Sequence, residues 1–413
     1  MKHCDIICIG LGISGLYFGY KALKSNKKIL FIEKEERVGG RIKSVSLGNN
    51  PYWAEGCATR FFYNPNSPPS LQNDGYVVQL LEELNIGSTP MPNDRIETGD
   101  YYLKVIQKIN QMYPVMYDSL AKLSFPTQVE LLGYSIKEFA DQIGYPLFED
   151  PINLNMAMRT LNKFVDLVQN FVDGGYENVC EKIYHIIKKR FKFKFNKTVS
   201  QIDYIDNCYI INNKYKAKKL LFTGTIDQLN TITINIPHLL ELKRNLVNSY
   251  FDYRAIRIYL KIKDPWWTKD DILKKWNTGT ALNQIIYFTK DTIQIYSNMW
   301  ASELLFYMIP EKFRTINKFI DSSNVPQLVN YVSQKISEII GVQNIKIDKI
   351  WYKYTRAAAQ FVRPIEENYN KFIKRIQENN NFYMLSGDYT LNPGWVNSCL
   401  QIVEEKYKNI ICD

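Results

Sequence analysis

The sequence predicts an α/β protein whose N-terminal sheet carries a dinucleotide, and three adjacent features support this. A short apolar run, Ile6 to Ile9, leads directly into Gly10-Leu11-Gly12-Ile13-Ser14-Gly15. A helix-like segment from Leu16 to Lys24 follows. A second apolar run, Lys28 to Ile32, then ends on Glu33, about twenty residues past the glycines. Each residue has a task in a strand–turn–helix–strand unit. Gly10 permits the sharp exit from the strand, Gly12 lets the backbone approach a pyrophosphate, and Gly15 lets the helix pack close to the strand. The first amides of the helix then face the anion, and Glu33 can accept hydrogen bonds from a ribose. Glycines alone are a weak signal, but in register with two strands, a helix and a terminal acid they predict a Rossmann-like unit.

Length and composition bound the rest. A chain of 413 residues suits two domains. Hydrophobic residues at 46% and aromatics at 14%, without repeats or low-complexity blocks, describe a globular protein. No run of eighteen apolar residues occurs, and Met1-Lys2-His3-Cys4-Asp5 runs straight into the first strand. No membrane association and a cytoplasmic location are therefore expected. The seven cysteines (Cys4, Cys8, Cys57, Cys180, Cys208, Cys399, Cys412) are scattered, which fits a reducing compartment. His3, His185 and His238 are too dispersed to suggest a metal site. A net charge of +10 would permit an acidic partner. The lysines are spread among Asn and Ile, however, and no nucleic-acid partner is expected.

The residues after Glu33 narrow the cofactor. Glu33-Lys34-Glu35-Glu36-Arg37-Val38-Gly39-Gly40-Arg41 resembles the E-x5-GGR continuation of flavin-dependent amine oxidases. Two glycines let the chain bend over the dinucleotide while Arg41 offers a guanidinium to a phosphate. Near the other terminus, Phe382–Thr390 followed by Gly394-Trp395-Val396 resembles the same family's closing signature, G-[DE]-x-T and then G-W-V. The resemblance implies FAD. It sets Asp388 beside the ribityl or pyrophosphate region and the amides of Trp395 and Val396 at the pyrimidine edge, where a helix N-terminus stabilises a reduced flavin. It implies further cofactor contacts from Ser14, Gly40, Ala58, Thr59, Arg60, Val199, Thr223 and Gly387. No cysteine lies between Ile345 and Asn397, so the resemblance implies non-covalent FAD.

The remainder reads as an inserted, mixed-sheet and helical substrate-binding domain over 71–171 and 236–344. The FAD-binding domain is discontinuous, comprising 1–70, 172–235 and 345–413. Apolar spacings of three and four predict helices at Val77–Leu84, Leu103–Ile109, Ile136–Ile143, Met156–Val172, Glu177–Arg190 and Glu311–Ile340. Tyr209–Ile211 and Tyr215–Lys218 read as a hairpin, and Leu220–Thr225 as a separate buried strand.

Within Tyr52–Arg60, Glu55 and Arg60 have the spacing at which amino-acid oxidases carry a glutamate and an arginine. Arginine suits a planar carboxylate because it donates two parallel hydrogen bonds; pairing of Arg60 with a structural carboxylate is the alternative. Tyr253–Lys263 reads as a strand ending in Asp264-Pro265-Trp266-Trp267. Many family members carry a lysine eight residues before that proline, holding a water at flavin N5, where this chain has Arg257. The change puts the water-holding role in doubt, since a guanidinium stays protonated and has a different reach.

Pro265-Trp266-Trp267 and Tyr354-x6-Phe361-x-Arg363 are similar to the L-amino-acid oxidases, tryptophan oxidases among them. That resemblance implies hydride transfer from an amine or L-amino acid, aromatic ones included, to flavin N5. Hydrolysis of the imine and reoxidation by oxygen then give an oxo acid or aldehyde, ammonia and hydrogen peroxide. Arg60 would hold the carboxylate, Tyr296 and Trp395 would wall the substrate, and Arg257 would sit near N5. A simple-amine or polyamine oxidase and a non-catalytic FAD-binding protein remain as alternatives, and a homodimer is left open.

Overall fold

The computed structural model describes residues 2–48, 53–63, 74–91, 101–113, 122–166, 168–272, 274–280, 282–298, 320–321 and 326–412. The expected starts of segments at Tyr52 and Leu71, and residues 311–319 and 322–325 of the helix expected over Glu311–Ile340, lie outside them. Within that span Ile320–Asp321 is instead a short strand paired with Trp351 and Tyr352, and the helix covers Pro326–Ile340. Strand β1 (Lys2–Ile9), helix α1 (Ile13–Lys21) and strand β2 (Ile29–Ile32) form where the apolar runs and the glycines predict. The last four residues of β1 and all four of β2 are buried, as in a parallel sheet covered on both faces.

In the first sheet β1 lies between β2 and the Tyr215–Phe222 strand, parallel to both, with Ile9 opposite Ile32 and Phe222. Lys192–Lys194 flanks β2, and Phe382–Met384 pairs with Tyr215–Phe222, again in parallel. Ile9, Ile32, Phe222 and Met384 thus end at one edge, the carboxyl edge where open α/β sheets hold ligands. Tyr215–Phe222 is one strand, where the sequence suggested a hairpin arm and a second strand. Its first half alternates in burial beside Cys208–Ile211, and from Lys219 onward it is buried throughout. The change of pattern marks a change of neighbours within one strand.

The second sheet is antiparallel, in the order Lys275–Asn277, Gln284–Tyr287, Thr292–Asn298, Tyr250–Ile262, Ile347–Val362, Ile320–Asp321. Here the structure departs from the expected boundary. Ile347–Val362, grouped by sequence with the FAD-binding domain, pairs with Tyr250–Ile262 along its whole length, from Ile262–Ile347 to Tyr250–Val362. Ile350, Tyr352 and Tyr354 alternate into a core shared with Ile256, Ile258 and Leu260. Leu328, Val332 and Ile336 of the Pro326–Ile340 helix, four residues apart, cover that core. Trp267 stacks on Tyr287 at 4.7 Å and donates to the Thr289 carbonyl, while Trp266 donates to the Tyr287 hydroxyl at 2.7 Å. The two tryptophans therefore pack against this second core and are absent from the cavity described below.

A helical lobe comprises Tyr101–Met112, Phe125–Leu131, Ile136–Ile143 and Leu154–Asp166. Phe125, Phe139 and Phe148 meet at its centre with ring centroids 5.3–6.0 Å apart. The helix expected to reach Val172 stops at Asp166, because Gln169–Val172 is a strand pairing with both Phe61–Phe62 and Ser88–Pro90. Cross-strand partners from distant segments override the local helical spacing.

Candidate cofactor and substrate site

The glycine turn sits at the carboxyl edge, and its three glycines are needed for different reasons. Gly10 has φ +101°, and a Cβ there would lie 2.4 Å from Thr223 Oγ1. A Cβ on Gly15 would lie 2.3 Å from the Gly10 carbonyl oxygen, so Gly15 keeps α1 against the turn. Gly12 is different: its φ of −68° and ψ of −179° suit any residue, and a Cβ there meets nothing within 4 Å. The polypeptide would accept a side chain at Gly12, and that side chain would enter the cavity. This is the cradle a bound pyrophosphate requires. The first turn of α1 has no side-chain cap and no acidic residue, which leaves its amides for an anion. The Val396–Ile411 helix, with Trp395 as its N-cap, likewise begins uncapped at the same cavity.

Glu33 is buried, and its carboxylate accepts from the Leu11 amide at 2.7 Å and the Glu35 amide at 2.9 Å. It braces the turn as well as lining the cavity. Gly39 and Gly40, at φ +99° and +57°, fold the next segment back, and the Gly39 amide donates to the Leu11 carbonyl at 2.8 Å.

Arg41 and Asp388 were expected to meet a cofactor separately, but the structure pairs them with each other, Nη1–Oδ1 at 3.1 Å and Nη2–Oδ2 at 2.6 Å. Burial opposes the Arg41 charge, yet the Asp388 carboxylate outweighs it and holds the guanidinium protonated above its ordinary range. Both residues line the cavity, but the Arg41 fork faces a carboxylate rather than standing free for a phosphate. The Asp388 side chain is fully buried and that of Arg41 about a quarter exposed. Asp388→Ala should therefore destabilise by the lower end of the ~3–5 kcal/mol that follows removal of one partner of a buried pair. Denaturant unfolding of the two proteins measures this.

Lys353, which sequence reading missed, is fully buried in the middle of Ile347–Val362. Its Nζ donates to the Arg41 carbonyl at 2.6 Å, and its Cδ lies 2.2 Å from where a Gly56 Cβ would stand. One lysine thus ties the Gly39–Arg41 loop and the Glu55–Arg60 loop to the second sheet. Burial pushes its pKa down to about 8, opposed chiefly by Cys57. The sequence carries no signal for Lys353: between Tyr352 and Tyr354 it falls on the other face of the strand, where alternation ordinarily places a solvated charge.

Glu55 does not pair with Arg60. Its carboxyl accepts from the Tyr176 amide at 2.8 Å and the Ser44 hydroxyl at 2.7 Å. Burial pushes its pKa up to about 8 against those hydrogen bonds. The Arg60 guanidinium instead donates to the Tyr145 hydroxyl at 2.7 Å.

Tyr145 follows Gly144, the left-handed C-cap of the Ile136–Ile143 helix. Gln284 Nε2 donates to the carbonyls of Ile143 and Gly144, so the second sheet fixes that helix end. The Tyr145 ring then meets Tyr296 edge-on at 5.7 Å. Tyr296 lies opposite Arg257 across the sheet, with the guanidinium 4.7 Å from its ring centroid, and its hydroxyl donates to that of Tyr253 at 3.0 Å. Burial raises the pKa of both Tyr253 and Tyr296, which keeps the phenols neutral. Trp395 packs edge-on against Phe62 at 4.9 Å. Sequence reading missed Tyr145 and Tyr253, because only the meeting of lobe and sheet brings them to the site.

One cavity of about 640 Å³ collects these groups, within the ~300–1,000 Å³ usual for small-molecule and cofactor sites. Gly10, Gly12, Ser14, Glu33, Gly40, Arg41, Ala58, Thr59, Arg60, Val199 and Thr223 all line it. So do Arg257, Tyr296, Gly387, Asp388, Trp395 and Val396. Of the residues expected at the site, only Gly15 does not reach the wall, and its task is packing. Among the described residues no cluster of His, Cys, Asp or Glu could hold a metal ion, and no helix is long and apolar enough to cross a membrane.

Residues 8–84 match the family model described as an NAD(P)-binding Rossmann-like domain. Over 97% of its length the chain is 24% identical to uncharacterized protein R188 of Acanthamoeba polyphaga mimivirus, covering 92% of that protein. Among solved structures it is similar to cyclohexylamine oxidase from Brevibacterium oxydans IH-35A, with TM-score 0.75 and 12% identity, over 99% of this chain and 98% of that one. It is also similar to a triple mutant of putrescine oxidase redesigned in its cofactor binding, with TM-score 0.71 and 13% identity, over 99% of each. The chain therefore opens with a Rossmann-like dinucleotide-binding domain and shares, over nearly its whole length, the fold of these two amine oxidases.

Proposed function

We propose that the protein binds FAD non-covalently and oxidises the C–N bond of a small amine that carries a carboxylate, an L-amino acid. The observation that carries this reading is a single cavity with two uncapped helix N-termini and the glycine turn at one part of its wall and two guanidinium groups among tyrosines at another. FAD is favoured over NAD(P) by the Gly39-Gly40-Arg41 fold-back and by the second helix N-terminus at Trp395-Val396. Bound FAD supplies the hydride acceptor, and oxygen the route to hydrogen peroxide.

The chain's own residues bind and orient. Arg60 takes the substrate carboxylate by its guanidinium fork, and the three phenols and Trp395 exclude water from the reacting carbon. Two fixed positive charges disfavour the ammonium form of the substrate, and only the neutral amine has the lone pair that must develop into an imine. Arg257 cannot act as a base, because a guanidinium is not deprotonated in proteins. The free thiols fit a reducing, cytoplasmic setting, which is part of the proposal.

A simple-amine oxidase is the second reading, since the two structural neighbours are named for cyclohexylamine and putrescine, which lack a carboxylate. A flavoprotein without turnover is the third. Peroxide formation with a panel of matched amino acids and amines separates the three readings. The purified protein should be yellow, and acid precipitation should release the flavin into the supernatant. Cys57 and Cys399 both line the cavity, so colour kept in the pellet would overturn the non-covalent assignment.

A further inference from the structure

We infer that the substrate carries two anionic groups, as an amino acid with an acidic side chain does, and that Arg60 and Arg257 hold one group each. The inference rests on the amine-oxidising reading and adds the substrate's chemical class. Arg257 has its guanidinium over the Tyr296 ring and, among the described residues, no hydrogen bond or ion pair; the buried Glu55 carboxyl, outside the cavity wall and held by Ser44 and Tyr176, acts on it only through space. Arg60 has the Tyr145 hydroxyl, a neutral partner. The acids that line the cavity are Glu33, Glu35, Asp227 and Asp388, and all belong to the dinucleotide-binding part. Glu33 is engaged by the Leu11 and Glu35 amides, Asp227 by the Thr225 hydroxyl and Asp388 by Arg41. The substrate end thus presents two cations and, among the described residues, no carboxylate.

A ring contact offsets only part of what a guanidinium loses when a ligand displaces its water. A diamine would bring a second positive charge toward two fixed ones. A monocarboxylate would satisfy one guanidinium and leave the other desolvated. A dicarboxylate pairs with both. Each arginine also has its own aromatic neighbour, Arg60 the hydroxyl of Tyr145 and Arg257 the face of Tyr296, the two ring centroids lying 5.7 Å apart.

Equilibrium binding to the flavin-loaded protein tests this without turnover, by titrating glutarate, butyrate and 1,4-diaminobutane and following the visible flavin spectrum. Glutarate should bind about ten- to a hundredfold tighter than butyrate, as an added charge-assisted pair allows, and the diamine most weakly. Arg257→Met should bring glutarate down to the level of butyrate, the difference between the two acids being the quantity read. Arg257→Lys keeps the positive charge in case the methionine variant fails to fold, and should retain part of the difference. Glutarate binding no tighter than butyrate, equal loss for both acids in Arg257→Met, or faster anaerobic bleaching by leucine than by glutamate would each overturn the two-anion site. Glutarate selectivity without bleaching by any amine would support that site and overturn the oxidase reading instead.

Discussion

Gly12→Val should give a folded protein that holds no FAD. Its backbone angles there suit valine, and a Cβ meets nothing beyond its own chain neighbours within 4 Å, so the change disturbs little packing. The branched side chain would instead stand in the cavity where the turn must approach the pyrophosphate. Gly15→Val should behave in the opposite way. Its Cβ would lie 2.3 Å from the Gly10 carbonyl oxygen, and either α1 or the turn must move. Far-UV circular dichroism and flavin content after reconstitution distinguish the two: native ellipticity without flavin for Gly12→Val, lost ellipticity for Gly15→Val. Full flavin occupancy in Gly12→Val would mean that the phosphate turn is misplaced.

Arg60→Met should lower kcat/KM toward amino acids by roughly two to four kcal/mol, the effect of leaving a desolvated charge unpaired. The same change should barely alter turnover of the corresponding amine without the α-carboxylate, tryptamine against tryptophan or 4-aminobutanoate against glutamate. A structural role would predict something else. Arg60 holds the Tyr145 hydroxyl, and Tyr145 packs on Tyr296, so loss of positioning alone would depress both members of each pair together. Tyr145→Phe separates the roles further, because it removes the hydroxyl contact and leaves the guanidinium in place. Equal losses on acid and amine in Arg60→Met would remove the amino-acid reading and leave a general amine oxidase.

The parts of the site legible in sequence are those in which one contiguous segment determines the geometry. From β1 through β2 the turn's own backbone contacts lie within about thirty residues, the length of one βαβ unit, and the residue types follow from local backbone demands, Thr223 beside Gly10 being the distant exception. The parts that were not legible depend on distant pairing. Arg41 and Asp388 each read as a cofactor contact, and nothing in either segment shows that they meet across 347 positions. Ile347–Val362 read as a return to the dinucleotide domain because its register with Tyr250–Ile262 is a property of two strands rather than one. Lys353 was missed with it. Tyr145 depends on a helix end that Gln284 fixes from 140 residues away. Arg257 was found, but its stacking on Tyr296 appears only when the Tyr250–Ile262 and Thr292–Asn298 strands pair.

The most direct measurement is anaerobic mixing of the flavin-loaded protein with matched amino acids and amines while the visible absorbance of the flavin is followed. The account predicts bleaching by at least one carboxylate-bearing amine, and recovery of colour with peroxide formation when oxygen is admitted. An absorbance unchanged by every amine, in a protein whose flavin dithionite still reduces, would contradict it.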